Sequence, residues 1–345
     1  HSTTYAGGLG VPTTTDPRLQ AMANRAVQRQ GDVLQAVADV EWSRSGLTAL
    51  GSDPKAYEAR ASKVSGFEYF WNSNPKLVAS WIRASSEFKA AVEEGRSEEE
   101  ALQMLREDSA FMAELRRSKT MLQAGFLAVD PMTGAVKAWV GSRDYEHDKF
   151  DHVQQARRQP GSTFKPFVYG AAFEMGMHPS ETFMDAPVSI QIDRNKYWRP
   201  GDGGGGPSGQ PMTLREGLAR SKNTITAQLM MRVGPDTVAR LARSMGVRDS
   251  KLEAVPSLAL GTSPVTLKEM VSAFGTIANG GSYIEPQIVT AVEDREGNVL
   301  AAFAPGMPQH ALSHGAANTL LDVLRGVVDG GTASGLKPRF GLGGR

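Results

Sequence analysis

The sequence predicts an α+β fold. Three observations carry this: hairpin signatures at 126–139 and 284–303, capped amphipathic segments before, between and after them, and 345 residues that are 40% hydrophobic. That length suffices for a large buried core and more than one domain. With 38 Lys+Arg against 37 Asp+Glu, the formal charge is +1. Such a balance argues against a nucleic-acid binder, an acidic solvating tail or a disordered chain. Cysteine is absent, which excludes disulfide scaffolds, thiol nucleophiles and thiolate metal sites. There is no signal-peptide pattern, and no run of about 18 apolar residues that could span a bilayer.

Residues 1–12 read as a polar linker. Asp16-Pro17 is an N-cap with a first-turn proline, and the apolar face from Arg18 to Gln30 predicts a helix that Gly31 should end. Residues 42–75 carry Trp42, Tyr57, Phe67, Tyr69, Phe70 and Trp71 among turn formers. Ser97-Glu-Glu-Glu100 is a capping box leading into Leu102, Leu105, Phe111, Met112 and Leu115. A mostly helical accessory module is therefore expected over 42–120, with its aromatics in core or docking contacts.

Phe126–Asp130 and Ala135–Trp139 flank Pro131-Met-Thr-Gly134 and predict a hairpin. A helix is expected from Gly161 to Met175, stopped by Gly176. The Pro/Gly-rich stretch 179–212 reads as loop. Capping boxes at Thr213-Leu-Arg-Glu216 and Thr266-Leu-Lys-Glu269 start two helices, the second ending at Asn279-Gly-Gly281, and Pro235 starts another that ends at Gly246. Ile284–Val292 and Asn298–Phe303 suggest a second strand pair, and Asn318–Val328 a last helix. Two hairpins are few strands for so many helices, so the central sheet looks short.

Several familiar motifs are missing or misleading. There is no His-Glu-x-x-His, Gly-x-Ser-x-Gly or P-loop. Gly201-Asp-Gly203-Gly-Gly-Gly206 matches a dinucleotide fingerprint in letters, but no strand precedes it and Pro207 follows it. His310 and His314 have helical spacing, yet Pro308 and Gly315 predict a loop and no third ligand is evident.

Ser162-Thr-Phe-Lys165 is the informative pattern. A serine in the first turn of a helix with a lysine three residues on puts both side chains on one face. A buried amine within reach can take the serine proton, and the helix N-terminus favours a developing oxyanion. Of five Ser-x-x-Lys matches, starting at Ser52, Ser73, Ser86, Ser162 and Ser334, only Ser162 enters an apolar helix, Phe167–Phe173. Ser221-Lys-Asn223 is the single Ser-x-Asn. It interrupts a helical pattern between Leu218 and Leu229, as a turn aiming polar groups inward would.

Ser162-x-x-Lys165 together with Ser221-x-Asn223 resembles two of the three signature motifs of penicillin-binding proteins and serine β-lactamases. The flanks Gln155–Pro166, Asp130–Gly141 and Met212–Asn223 look like class A, bifunctional penicillin-binding proteins. Thr14–Gln20, Ala259-Leu-Gly-Thr262 and Ala278–Tyr283 fit the same family. The third motif, Lys-Thr-Gly or Lys-Ser-Gly, occurs nowhere. The resemblance implies a transpeptidase fold with a five-stranded antiparallel sheet flanked by helices and an all-helical subdomain, here lacking its C-terminal strands. It assigns 1–41 to a linker after a glycosyltransferase domain and 121–345 to a transpeptidase domain ending before the Lys-Thr-Gly strand.

The implied activity is D,D-transpeptidation of peptidoglycan stem peptides, with β-lactam antibiotics as inhibitors. A serine β-lactamase or a sensor of the same fold is the alternative. Ser162 would be the nucleophile, Lys165 the base and Ser221 a proton relay, with Asn223 and Thr163 binding substrate. No cofactor, metal or nucleic acid is implied. The implied partners are a companion segment bearing Lys-Thr-Gly, an upstream glycosyltransferase and an N-terminal membrane anchor, placing the protein outside the cytoplasm.

Overall fold

The computed structural model describes residues 8–45, 50–51, 53–201 and 206–341. These form two compact units: one comprises Met22–Gly125 with Val140–Lys149, the other the described residues up to Ala21, Phe126–Trp139 and those from Phe150 on. Most of the glycine run at 201–206, the first seven residues of the expected linker and residues 342–345 lie outside the described residues.

Helix α1 (Pro17–Glu41) starts where Asp16-Pro17 predicts. The Asp16 carboxylate accepts hydrogen bonds from the N–H groups of Arg18 and Leu19 at 2.8 and 3.1 Å. It does not end at Gly31. Gly31 is buried, and a Cβ there would stand 2.2 Å from Arg143 Nε, so this glycine serves the close approach of a side chain. The helix continues because Val33–Ala38 are apolar or helix-tolerant residues whose packing outweighs the roughly 1 kcal/mol that an interior glycine costs.

Six short helices follow: α2 (Pro54–Ala61), α3 (Glu68–Ser73), α4 (Pro75–Ala84), α5 (Ser86–Glu93), α6 (Glu98–Glu107) and α7 (Ser109–Thr120). Trp71, Val78, Ile82, Phe88, Leu105 and Leu115 make a core shared by α3–α7. In α4 the buried Val78, Ala79 and Ile82 form one helical stripe. Both halves of the capping box, Ser97 and Glu100, are formed. Tyr57, Phe67 and Trp71 are buried, whereas Trp42 and Tyr69 are exposed.

In the other unit, β1 (Phe126–Val129) and β2 (Val136–Val140) form the expected hairpin. A 3₁₀ turn (Gly161–Phe164) leads into α8 (Lys165–Glu174). The stretch read as loop instead holds β3 (Thr182–Met184), β4 (Ile190–Asp193), β5 (Lys196–Trp198) and β6 (Pro211–Thr213). β3 pairs with β6 and β4 with β5. These strands are too short for a local period to register, and β3–β6 pairing is a tertiary event across the whole stretch.

Next come α9 (Leu214–Ala219), α10 (Asn223–Val233), α11 (Pro235–Met245), a 3₁₀ turn (Pro256–Leu260) and α12 (Leu267–Ala278). The chain continues through β7 (Ser282–Tyr283), β8 (Ala291–Glu293), β9 (Val299–Ala302), β10 (Gln309–His310), α13 (His314–Asp329) and α14 (Leu336–Phe340). The second strand pair, β8–β9, is shorter than predicted. Its upstream residues are engaged elsewhere, Val289 bridging Thr13 and Gln287 bridging Ala135, and Glu293 at the end of β8 bridges Gly10. The N-terminal residues Gly10 and Thr13 thus contribute backbone pairing. His310 lies in a strand paired with β7, and His314 opens α13 behind the Ser313 N-cap, so this stretch is not loop. That cap also starts the last helix earlier than Asn318.

All sheets among the described residues are antiparallel and two-stranded. The family's five-stranded sheet is not formed among them. The core is instead helical. Every residue of α8 from Lys165 to Phe173 is buried, as a helix apolar on all sides must be. It packs against α10, α11 and α13. No helix among the described residues is long and apolar enough to cross a membrane, and no three of their His, Asp or Glu side chains gather in a metal-binding group.

Glu269 caps α12 from inside the protein. Its carboxylate accepts from the N–H groups of Asp249, Ser250 and Thr266 and from the hydroxyls of Ser250 and Thr266, at 2.6–3.0 Å. Burial pushes the carboxyl up, but these hydrogen bonds outweigh it and leave it below its ordinary value. A carboxyl depressed in the folded state stabilises above its unfolded value, near 4.5, and that contribution is lost as pH falls through the folded value. Glu269→Gln, which turns an amide N–H₂ toward these donors, is expected to cost about 2–4 kcal/mol at pH 7. It should also flatten the fall in stability below about pH 5. Urea unfolding of both proteins between pH 3 and 7 checks this, and parallel curves would refute it.

Candidate functional site

The site grows from the first turn of α8. In a 3₁₀ turn, side chains at i and i+3 eclipse, and Lys165 N–H donates back to Ser162 C=O to close that turn. Ser162 and Lys165 are therefore aligned along one edge. Ser162 is exposed, whereas Lys165 is fully buried.

The Lys165 amine donates to Ser221 C=O at 2.5 Å, to Ser221 Oγ at 3.0 Å and to Asn223 Oδ1 at 2.7 Å. These contacts bring three of the expected residues, Lys165, Ser221 and Asn223, into one polar cluster around the Lys165 amine, three residues on from the exposed Ser162. Thr163 is placed differently. Its hydroxyl donates to Pro160 C=O at 2.7 Å, closing the turn, and the residue lines an apolar groove with Pro160, Val265, Leu267, Met270 and Phe274.

The Ser221 turn joins α9 to α10 and has the backbone conformation its inward aim requires. Ser221 has φ 55°, one of two non-glycine residues with positive φ among the described residues. Such a conformation costs on the order of 1–2 kcal/mol and persists only where neighbours hold it. The N–H groups of Ser221 and Lys222 donate to Leu218 and Gly217 carbonyls at 3.0 and 2.8 Å. The Asn223 amide N–H₂ donates to Gly201 C=O at 2.6 Å, which turns its oxygen toward Lys165.

Two supports of the site were not anticipated. The first is Gly261, at φ 69°, where a Cβ would meet Gly161 O and N at 2.4 and 2.5 Å. The backbone behind Ser162 rests directly on this residue. Gln159 Nε2 donates to Thr262 C=O at 3.0 Å, and Arg158 exchanges both backbone hydrogen bonds with Val265. The quoted Ala259-Leu-Gly-Thr262 contained the signal, a glycine after an apolar 3₁₀ turn, but nothing local says what it touches.

The second support is Asp185, which is fully buried. Its carboxylate accepts from Thr224 Oγ1 at 2.5 Å and Ser208 N–H at 2.8 Å, and pairs with Lys222 Nζ at 3.1 Å. Burial raises this carboxyl, but the hydrogen bonds of Thr224, Ser208 and Lys222 outweigh that and hold it well below the usual carboxylate range. A single acid in a Pro/Gly-rich stretch carries no local sign of such partners.

Chemically, an exposed hydroxyl at a helix start, a buried amine three residues on and a second hydroxyl hydrogen-bonded to that amine are groups of the kinds that can serve as nucleophile, base and relay. The family model for the penicillin-binding protein transpeptidase domain matches residues 124–343. The chain is 37% identical over 209 residues to penicillin-binding protein 2D of Bacillus subtilis, covering 60% of this chain and 30% of that protein. It is 36% identical over 222 residues to penicillin-binding protein 1A of Neisseria meningitidis, covering 62% and 28%. The chain thus spans under a third of the length of these curated relatives. In fold it is similar to penicillin-binding protein 1A of Haemophilus influenzae, with TM-score 0.67, 21% identity and 96% of this chain and 57% of that chain covered. It is also similar to PonA1 of Mycobacterium tuberculosis in complex with penicillin V, with TM-score 0.58, 19% identity and coverage of 95% and 66%.

Proposed function

The chain belongs to the penicillin-binding-protein transpeptidase family, and on that premise we propose that it cross-links peptidoglycan stem peptides through an acyl-enzyme on Ser162. One observation carries the proposal: a fully buried amine, Lys165, hydrogen-bonded to Ser221 Oγ and Asn223 Oδ1 on the turn that bears the exposed Ser162.

In this mechanism Ser162 Oγ attacks the carbonyl of the D-Ala-D-Ala peptide bond while the Lys165 amine takes its proton. The tetrahedral oxyanion is held in part by the Ser162 N–H at the helix start. Collapse breaks the C–N bond, and the proton passes through Ser221 to the departing D-alanine amine. The amine of a neighbouring stem peptide then attacks the ester, forming the cross-link and returning the proton to Ser162. Water in its place gives carboxypeptidation. Asn223 orients the Lys165 amine and offers its amide to the substrate backbone, and Thr163 contributes the groove wall beside the nucleophile.

A β-lactam enters the same first step and leaves a stable ester. We extend the proposal to an extracytoplasmic location, to a glycosyltransferase and membrane anchor in the intact protein, and to a companion segment supplying Lys-Thr-Gly, which this sequence lacks. Intact-mass analysis after incubation with labelled penicillin is the test. One adduct is expected on the protein complete with the Lys-Thr-Gly segment and none on its Ser162→Ala variant, and label that survives the substitution would sink the assignment. Rapid β-lactam turnover without a stable adduct would assign a hydrolase instead.

A further inference from the structure

We infer that Asp185 is a positioning residue for the proposed acylation: it clamps Lys222 and Thr224, the two neighbours of Asn223, and so holds the Ser221–Asn223 turn against Lys165. The inference rests on the transpeptidase function proposed above.

The geometry is a two-sided clamp. One carboxylate oxygen accepts from Thr224 Oγ1 at 2.5 Å, and the other faces Lys222 Nζ at 3.1 Å and the Ser208 N–H at 2.8 Å. Asp185 itself is pinned by its backbone. Its N–H donates to Gln210 C=O at 3.0 Å, and its C=O accepts from Gly209 N–H at 2.8 Å. These bonds continue the β3–β6 pairing, which ends at Met184 opposite Pro211. Gln228 of α10 donates to Met184 C=O at 2.8 Å, adding a second tie between β3 and that helix.

The clamp matters because the turn it grips is strained. Ser221 at φ 55° relaxes toward ordinary backbone unless both sides are fixed. Backbone bonds to Gly217 and Leu218 fix the α9 side, and Asp185 fixes the α10 side through two side chains. A charge-assisted hydrogen bond to a fully buried carboxylate is strong and directional. Losing it loosens Ser221 Oγ and Asn223 Oδ1, the two side-chain oxygens that orient the Lys165 amine. Displacements on this scale cost catalysis without removing any reacting group.

The test measures the acylation rate constant and the apparent dissociation constant separately, using labelled penicillin on the protein complete with the Lys-Thr-Gly segment. Asp185→Asn is expected to slow acylation at least tenfold while the dissociation constant stays within threefold, with Ser162 still the labelled residue. Thr224→Val, which removes one arm of the clamp and no charge, should slow acylation about threefold to tenfold, and Thr224→Ser should restore it. That pair decides the matter should Asp185→Asn not fold. A structural role alone would lower the labelled fraction and the melting temperature while leaving the rate constant of the folded protein unchanged. Rate constants within threefold of wild type for folded Asp185→Asn, or for Thr224→Val, overturn the inference. No label on the wild type, or label persisting on Ser162→Ala, overturns the proposed function and this inference with it.

Discussion

Replacing Lys165 with methionine is expected to slow acylation of Ser162 by labelled penicillin about 10³-fold. The side chain is fully buried, and methionine is close to it in length and volume, so the packing of α8 survives. Two stability effects oppose each other. Ser221 C=O, Ser221 Oγ and Asn223 Oδ1 each lose a donor, at about 1–3 kcal/mol for an acceptor left unsatisfied. Removing a buried amine offsets part of that.

Lys165→Arg separates charge from base function. A guanidinium keeps the positive charge and the donors but has no proton-accepting form at any accessible pH. If Lys165 serves as a base, arginine is as inactive as methionine. If it serves only as a fixed charge, arginine retains activity. Time-resolved labelling of the three proteins decides between these, and acylation of the arginine variant above a tenth of the wild-type rate would refute the base assignment.

Gly261→Ala is expected to destabilise the protein by about 3 kcal/mol or more and to abolish labelling of Ser162. The new Cβ meets backbone, not a flexible side-chain end: Gly161 O at 2.4 Å and Gly161 N at 2.5 Å. The positive φ of 69° adds strain for any residue with a side chain. Relief requires moving the strand-like segment at Arg158, the Ser162 turn, or both. Urea unfolding gives the stability change, and labelling of the folded fraction gives the effect on the site. A stable Gly261→Ala protein that acylates normally would mean that this contact does not hold the turn.

Much of the scaffold was legible because its signals are local. Thr213-Leu-Arg-Glu216 and Thr266-Leu-Lys-Glu269 form the capping boxes their spacing predicts. Pro235 and Gly246 bound α11, and Pro131–Gly134 turns the first hairpin. Cap geometry depends on residues three apart, so neighbours in sequence suffice. The failures are tertiary. Gly31 looked like a helix end and is a packing contact for Arg143. The 179–212 stretch looked structureless, yet β3 and β6 pair across it. The expected 284–292 strand gave part of its length to bridges with Thr13 and Ala135.

The site divides in the same way. Sequence by itself determined the α+β class, the family, and the serine and lysine of one helical turn. A spacing of three residues and an apolar helix behind it are properties of the chain alone. Only the tertiary structure decided that Ser221 and Asn223 meet the Lys165 amine, that Gly261 supports the serine turn, and that Asp185 grips the opposing one. Each of those contacts joins segments distant in sequence, where position is set by the packing around α8 and leaves no period in the letters.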